Sequence, residues 1–131
     1  MKVLIDENLS PALAKSLNAL FVGLYDVIHI REKYGPGVKD IDWIQSSSAE
    51  GRWVVISGDR RITRNALEYN AFRNSRLVGF FLSKGLYKAP VTKQMERLLA
   101  LWITIEKQAE IVKGGAMFEL QMKSNRIAQL K

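Results

Sequence analysis

The sequence predicts one α/β domain, an α/β/α sandwich in which helices cover both faces of a mainly parallel β-sheet. Short apolar runs alternate along the chain with segments that have the 3.6-residue periodicity of a helix. The chain has 131 residues, the size of one domain, and contains no internal repeat or linker. We therefore expect a single domain that spans residues 1–131.

The composition restricts the classes of protein to consider. A hydrophobic fraction of 47% with 25% charged residues is typical of a globular chain. The absence of cysteine excludes disulfides and thiolate metal sites, and the single histidine excludes a metal site built on several histidines. A net charge of +7 favours a polyanionic or acidic partner.

No apolar run in the sequence approaches the 18 residues of a membrane-spanning helix. The sequence also starts directly with a strand rather than with a signal peptide. We therefore expect a cytoplasmic protein without membrane association.

The first part of the chain alternates between strands and helices. Residues 3–5 form a short apolar run that predicts a buried strand, and Ser10 is a suitable N-cap for a helix over residues 11–20. Residues 25–30 predict a second strand, which the crossover connection places parallel to the first. This strand contains His29, for which we expect a structural role.

The middle of the chain continues this alternation. Residues 33–37 have the composition of a loop, and Asp40 is a candidate N-cap for a helix that runs to about residue 49. Residues 53–56 are the best candidate for a central strand, and Ser57, Gly58 and Asp59 follow it directly. Residues 62–74 predict the next helix.

The last part of the chain contains the longest predicted helix. A strand is expected at residues 77–82 and a loop at residues 83–89, after which Pro90 opens a helix with a continuous apolar stripe. Residues 117–121 predict a strand, and residues 126–130 predict either its partner strand or a short helix. The apolar side chains near the end belong either to the core or to a dimer contact, and we expect a homodimer. These are Met117, Phe118, Leu120 and Met122.

Carboxylates occur in three separate segments at positions that one sheet edge would bring together. Asp6 and Glu7 follow the first strand, Asp40 and Asp42 begin a helix, and Asp59 follows the third strand. Mg²⁺ and Mn²⁺ prefer such oxygen ligands, and a bound ion could activate water against a phosphodiester. The alternative is that each acid belongs to a turn or caps a helix.

Three arginines lie beside the last of these acids, at Arg60, Arg61 and Arg64. Their guanidinium groups suit the oxygens of a phosphate, so they are candidates for binding the substrate. The alternative is a solvated helix face in which Arg64 pairs with Glu68, four residues later. Three lysines could extend the basic surface, namely Lys84, Lys88 and Lys93.

The chain resembles the PIN-like domain family, and within it the VapC-like toxins of bacterial toxin–antitoxin pairs. The resemblance rests on Val-Leu-Ile-Asp-Glu-Asn-Leu at residues 3–9, Asp-Ile-Asp-Trp-Ile at residues 40–44 and Trp-Val-Val-Ile-Ser-Gly-Asp-Arg-Arg-Ile at residues 53–62. It covers residues 1–82 by motif. The order and spacing of these short motifs are more specific than any one of them.

This resemblance implies a metal-dependent endoribonuclease that acts on RNA, uses Mg²⁺ or Mn²⁺ and is inhibited by a cognate antitoxin. By position, Asp6 would be the first metal ligand and Asn8 the polar residue that often follows it. Asp40 would be the middle acid, with Asp42 as the competing choice, and Asp59 would be the acid after the third strand.

The chain departs from the family at one site position. PIN domains often have another acid two residues after the position of Asp59, where this chain has Arg61. We therefore expect one tightly held metal ion rather than two. The alternative functions are an inactive PIN-like module that binds RNA or an acidic protein partner, and a phosphatase of small phosphoesters.

Overall fold

The computed structural model describes residues 1–58 and 60–130, which form a six-stranded sheet with helices on both faces. The strands are β1 (Lys2–Ile5), β2 (Asp26–His29), β3 (Val54–Ser57), β4 (Val78–Leu82), β5 (Met117–Leu120) and β6 (Ala128–Leu130). The helices are α1 (Pro11–Leu20), α2 (Ile30–Tyr34), α3 (Asp40–Glu50), α4 (Arg61–Arg64), α5 (Ala66–Arg73), α6 (Lys84–Lys88) and α7 (Val91–Ile111).

The strand order is β2-β1-β3-β4-β5-β6, and every neighbouring pair is parallel except β5 with β6. The chain passes from β1 to β2 on one side and then crosses back to β3 on the other. The carboxyl ends of β1 and β3 therefore flank the crevice in which sheets of this kind bind ligands.

Successive side chains of a strand point to opposite faces of the sheet, and this separates two apolar cores. Val3 and Ile5 pack with α1 and α7, whereas Leu4 packs on the other face with Trp43 of α3 and Phe72 of α5. The predicted α/β/α sandwich with a mainly parallel sheet is confirmed.

Several element predictions are confirmed by the structure. Helix α1 has the predicted bounds, and the Ser10 hydroxyl accepts a hydrogen bond from the backbone N–H of Ala12. Residues 126–130 contribute a strand, not a helix. Met117, Phe118 and Leu120 are buried and belong to the core rather than to a dimer contact, while Met122 packs partly buried against it.

The structure corrects four boundaries. Residue 30 begins α2 instead of ending β2, because the ring of His29 accepts the N–H of Arg31 and caps the helix. The predicted loop at residues 83–89 contains α6, capped by Ser83. The predicted helix over residues 62–74 is broken at Asn65, which caps α5. Asp40 is the first residue of α3 and not its N-cap, which is Lys39.

None of the helices within the described ranges combines the length and the apolar composition that crossing a membrane requires.

Candidate functional site

The centre of the candidate site is Asp6, the residue that follows β1. Its backbone N–H continues the sheet by donating to the carbonyl of Ile56, and its side chain is 1% exposed. One carboxylate oxygen, Oδ1, accepts the backbone N–H of Glu7 at 2.7 Å, and Oδ2 accepts the hydroxyl of Ser57 at 2.8 Å. Both oxygens are therefore fixed in place at the β1/β3 crevice.

Asn8 connects the ends of β1 and β3 at the same point. Its side-chain oxygen accepts the backbone N–H of Gly58 at 2.9 Å, and its Nδ2 donates to the hydroxyl of Ser57 at 3.3 Å. These two bonds tie Asn8 to Ser57 and Gly58 at the end of β3. The substrate-binding role that the sequence suggests for Asn8 stays a prediction.

Asp40 brings the second carboxylate to the site from the first turn of α3. Its side chain is 8% exposed, and Trp43 Nε1 donates to its Oδ1 at 2.9 Å. Its Oδ2 lies 3.3 Å from a guanidinium nitrogen of Arg61. Asp42, the competing choice for the middle acid, is exposed. The geometry therefore favours Asp40 over Asp42.

Glu68 is a further acid of the site that the sequence reasoning did not identify. It lies in the first turn of α5, close enough to Asp40 for the charge of Asp40 to raise the pKa of its carboxyl. It does not pair with Arg64 in the described part of the chain. The sequence signal that could have identified it is the capping-box spacing from Asn65 to Glu68, which predicts that a new helix begins after Asn65. With a new helix starting there, Arg64 and Glu68 no longer lie four residues apart on one continuous helix.

The electrostatics of the site are dominated by burial. The pKa of Asp6 is raised from its ordinary value to about 6, mainly because the carboxyl is buried and to a smaller extent because of the charge of Asp40, while the hydrogen bonds from Ser57 and Glu7 lower it. Burial also raises the pKa of Glu68, with Asp40 again adding to the effect. The charge of Arg61 acts in the opposite direction on both carboxyls.

The chemistry of these donors fits a hard divalent cation. The carboxylates supply oxygen ligands, and Oε2 of Glu68 is buried with no hydrogen-bond partner among the described residues. Nevertheless, no three acidic, histidine or cysteine side chains in residues 1–58 and 60–130 lie close enough together to hold a metal ion by themselves. Asp59, the third predicted ligand, lies outside the described residues.

A basic pocket of about 450 Å³ opens at Gly58, the residue that follows β3. Arg60 and Arg64 contribute two cationic side chains, and Lys84 and Lys88 of α6 contribute two more. Its remaining lining residues are Gly58, Leu82, Tyr87 and Glu119. The structure thus brings Arg60 and Arg64, two of the three candidate substrate-binding arginines, together in one pocket.

The other charged candidates take different positions. Arg60 forms an ion pair with Glu119 of β5, and Arg61 pairs with Asp40 outside the pocket lining. Lys93 pairs with Glu96 on α7 and does not line the pocket. His29 lies buried, with its Nε2 2.8 Å from the carbonyl of Leu9. This contact and the cap that His29 provides to α2 are both structural.

Comparison with known proteins gives one match. A family model described as a PIN like domain matches residues 1–84, which include β1, α3, β3 and β4. No curated protein and no solved structure matches the chain.

Proposed function

Because the chain belongs to the PIN-like domain family, whose members are generally nucleases, we propose that it is a metal-dependent endoribonuclease and the toxin of a toxin–antitoxin pair. The observation that carries this proposal is that Asp6, at the β1/β3 crevice, lies close enough to Asp40 for their charges to interact, while Gly58 at the end of β3 lines a pocket with four cationic side chains. Acids that attract a cation and basic groups that attract phosphate are the two requirements for metal-assisted cleavage of a phosphodiester.

Asp6, Asp40 and Asp59 are the residues we propose to hold a Mg²⁺ or Mn²⁺ ion, with Glu68 beside them. A bound ion of this kind supplies an activated water and stabilises negative charge on a phosphate. The protein prepares the site by fixing both oxygens of Asp6 and by burying its carboxylate. Burial, with a smaller contribution from the charge of Asp40, disfavours the ionised form of Asp6, and a bound cation would favour that form.

The basic pocket is the surface we propose for the RNA backbone. Arg64, Lys84 and Lys88 are exposed at its rim and available to phosphate oxygens. Tyr87 provides an aromatic surface on the same wall, and aromatic rings stack with unpaired bases. Single-stranded RNA is therefore the substrate class that suits the pocket.

The domain boundary and the protein partner follow from the same reasoning. The family model ends at residue 84, but β5 extends the same sheet and its Glu119 reaches Arg60. We therefore assign residues 1–131 to one nuclease domain. The resemblance to VapC-like toxins supports a cognate antitoxin that covers the acidic edge, and a homodimer is part of the same proposal.

The test of this function is cleavage of labelled total RNA with Mn²⁺ or Mg²⁺. We expect cutting that EDTA abolishes and that Asp6→Asn or Asp40→Asn reduces by about 100-fold or more. Asp42→Asn is the matched control, because it makes the same change of charge on the exposed side of the same helix. It should cleave like the wild type, and equal losses for Asp40→Asn and Asp42→Asn would contradict the site.

The toxin role has its own readout. Induced expression in a bacterial host should arrest growth for the wild type and for Asp42→Asn but not for Asp6→Asn. Growth arrest by Asp6→Asn would contradict a toxin that acts through this site.

One observation favours a second candidate, an inactive module that binds RNA or an acidic protein partner. Both oxygens of Asp40 already have partners within the protein, so the site resembles one stabilised without a metal. This candidate predicts RNA binding that needs Lys84 and Lys88, with no cutting in any divalent cation.

A further inference from the structure

Both carboxylate oxygens of Asp40 are engaged inside the protein. The indole of Trp43 donates to Oδ1, and the guanidinium of Arg61 lies against Oδ2. A cation that is to bind Asp40 must therefore share or displace one of these two partners.

The two partners differ in how readily they can move. Trp43 is 1% exposed and lies one turn from Asp40 on the same helix, where the packed core on that face of the sheet surrounds it. The side chain of Arg61, by contrast, is 57% exposed. Arg61 is also the first residue of α4, a helix of only four residues. Because a long exposed side chain can leave an ion pair at little cost, Oδ2 is the oxygen that can be released.

Arg61 also influences the neighbouring acids. Its positive charge favours the ionised forms of Asp6 and Glu68, opposing the effect of their burial. A guanidinium in this position partly does what a bound cation would do, which is to neutralise the acids of the crevice.

We propose that Arg61 is an internal counter-ion that competes with a divalent cation for Oδ2 of Asp40. The inference rests on the proposed function, because it takes Asp40 as a cation ligand. Arg61 leaves Asp40 when the cation binds, and the wild-type affinity for the cation is lower by the strength of the ion pair. When no cation is bound, Arg61 partly neutralises the carboxylates of the crevice.

Titration with Mn²⁺ alone, followed by calorimetry, tests this competition without any measurement of activity. Arg61→Gln removes the competing charge and should bind Mn²⁺ about 5-fold more tightly than the wild type, as expected for one partly screened ion pair. Arg61→Lys keeps the charge and should stay close to the wild type. Adding Asp40→Asn to Arg61→Gln should remove the gain.

Arg64→Gln is the matched control. It removes the same charge one helical turn away, from a side chain that lines the basic pocket and has no ion pair in the described part of the chain. Its Mn²⁺ affinity should change by less than about 2-fold, since the charge it removes faces solvent. Thermal unfolding confirms that each variant is folded.

The inference is overturned if Arg61→Gln gains no more than Arg64→Gln, or if neither the wild type nor Arg61→Gln binds Mn²⁺. It can fail independently of the proposed function. RNA cleavage with unchanged Mn²⁺ affinity in Arg61→Gln would overturn the competition alone. Tighter Mn²⁺ binding without any RNA cleavage would support the competition and contradict the nuclease.

Discussion

Trp43 holds the carboxylate of Asp40 from one turn along α3, with its Nε1 donating to Oδ1 at 2.9 Å. The indole is buried against β1 and β3, so the hydrogen bond comes from a rigid part of the core. A carboxylate at the first turn of a helix could adopt several rotamers, and this bond selects one of them. The orientation of the acid at the site therefore depends on the packing of a tryptophan in the core.

Trp43→Phe should keep most of the packing and lose this hydrogen bond. We expect a loss of about 1–3 kcal/mol in the free energy of unfolding, because a buried carboxylate oxygen is left without its donor. RNA cleavage should fall as well, since Asp40 is no longer oriented. Urea unfolding and the RNA cleavage assay measure the two effects.

Trp53→Phe is the matched control for this change. The Nε1 of Trp53 also donates to a carboxylate three residues away, that of Glu50 at 3.1 Å, but at a place outside the candidate site. Trp53→Phe should therefore leave RNA cleavage unchanged. An equal loss of cleavage in the two variants would show that the Trp43–Asp40 bond has no special role.

Asp6→Asn should change the pH dependence of stability in a defined direction. The folded protein holds a proton on Asp6 up to a pKa of about 6, whereas the unfolded chain releases it near 3.8. Because the folded state binds more protons in that interval, the free energy of unfolding falls as pH rises from about 4 to about 6 and then levels off. Over this pH interval, the titration of Asp6 lowers the free energy of unfolding by about 3 kcal/mol.

Asparagine at position 6 has no charge to bury. Its side-chain oxygen can still accept the backbone N–H of Glu7, and its amide nitrogen can donate to the hydroxyl of Ser57. Asp6→Asn should therefore be more stable than the wild type at about pH 7.5, with the difference shrinking toward pH 4. Urea unfolding of both proteins across this range measures it. Asp42→Asn, at an exposed position, provides the baseline, and a pH-independent difference for Asp6→Asn would contradict the assigned pKa.

The parts of the fold that the sequence predicts well are those with a long or strongly apolar signal. The runs that became β1, β3 and β4 and the stripe along α7 are of this kind. The short helices α2 and α6 escape prediction because five residues carry no periodicity, and the first is capped by His29, an unusual N-cap.

The candidate site is predicted in part for the same physical reason. Asp6 and Asp40 are recognisable because each lies beside an element with a clear signal. Glu68 is not recognised, because its position depends on whether the helix before it is continuous or broken at Asn65. The pairing of Arg61 with Asp40 depends on how three elements pack together, which no local pattern specifies.

Gly58 allows the ring of Tyr87 to pack directly against the backbone of residue 58. A Cβ added at residue 58 would overlap this ring and touch the side chain of Leu9 at 3.0 Å. Gly58→Ala should therefore lower the free energy of unfolding by about 1–3 kcal/mol. In a Tyr87→Ala background the same substitution should cost much less, and urea unfolding of the four proteins measures this coupling. Equal costs in the two backgrounds would contradict the contact.

RNA binding should depend on Lys84 and Lys88 through the counterions that they release from phosphates. If each lysine contacts one phosphate of single-stranded RNA, Lys84→Gln/Lys88→Gln should reduce the magnitude of the slope of log K against log salt by about 1.4. Filter binding of single-stranded RNA in EDTA measures this slope without cleavage. The matched control is Lys107→Gln/Lys113→Gln, which removes the same charge from exposed positions in the last part of α7 and just after it, and should leave the slope unchanged. Equal changes in both double variants would mean that RNA responds to net charge and not to this pocket.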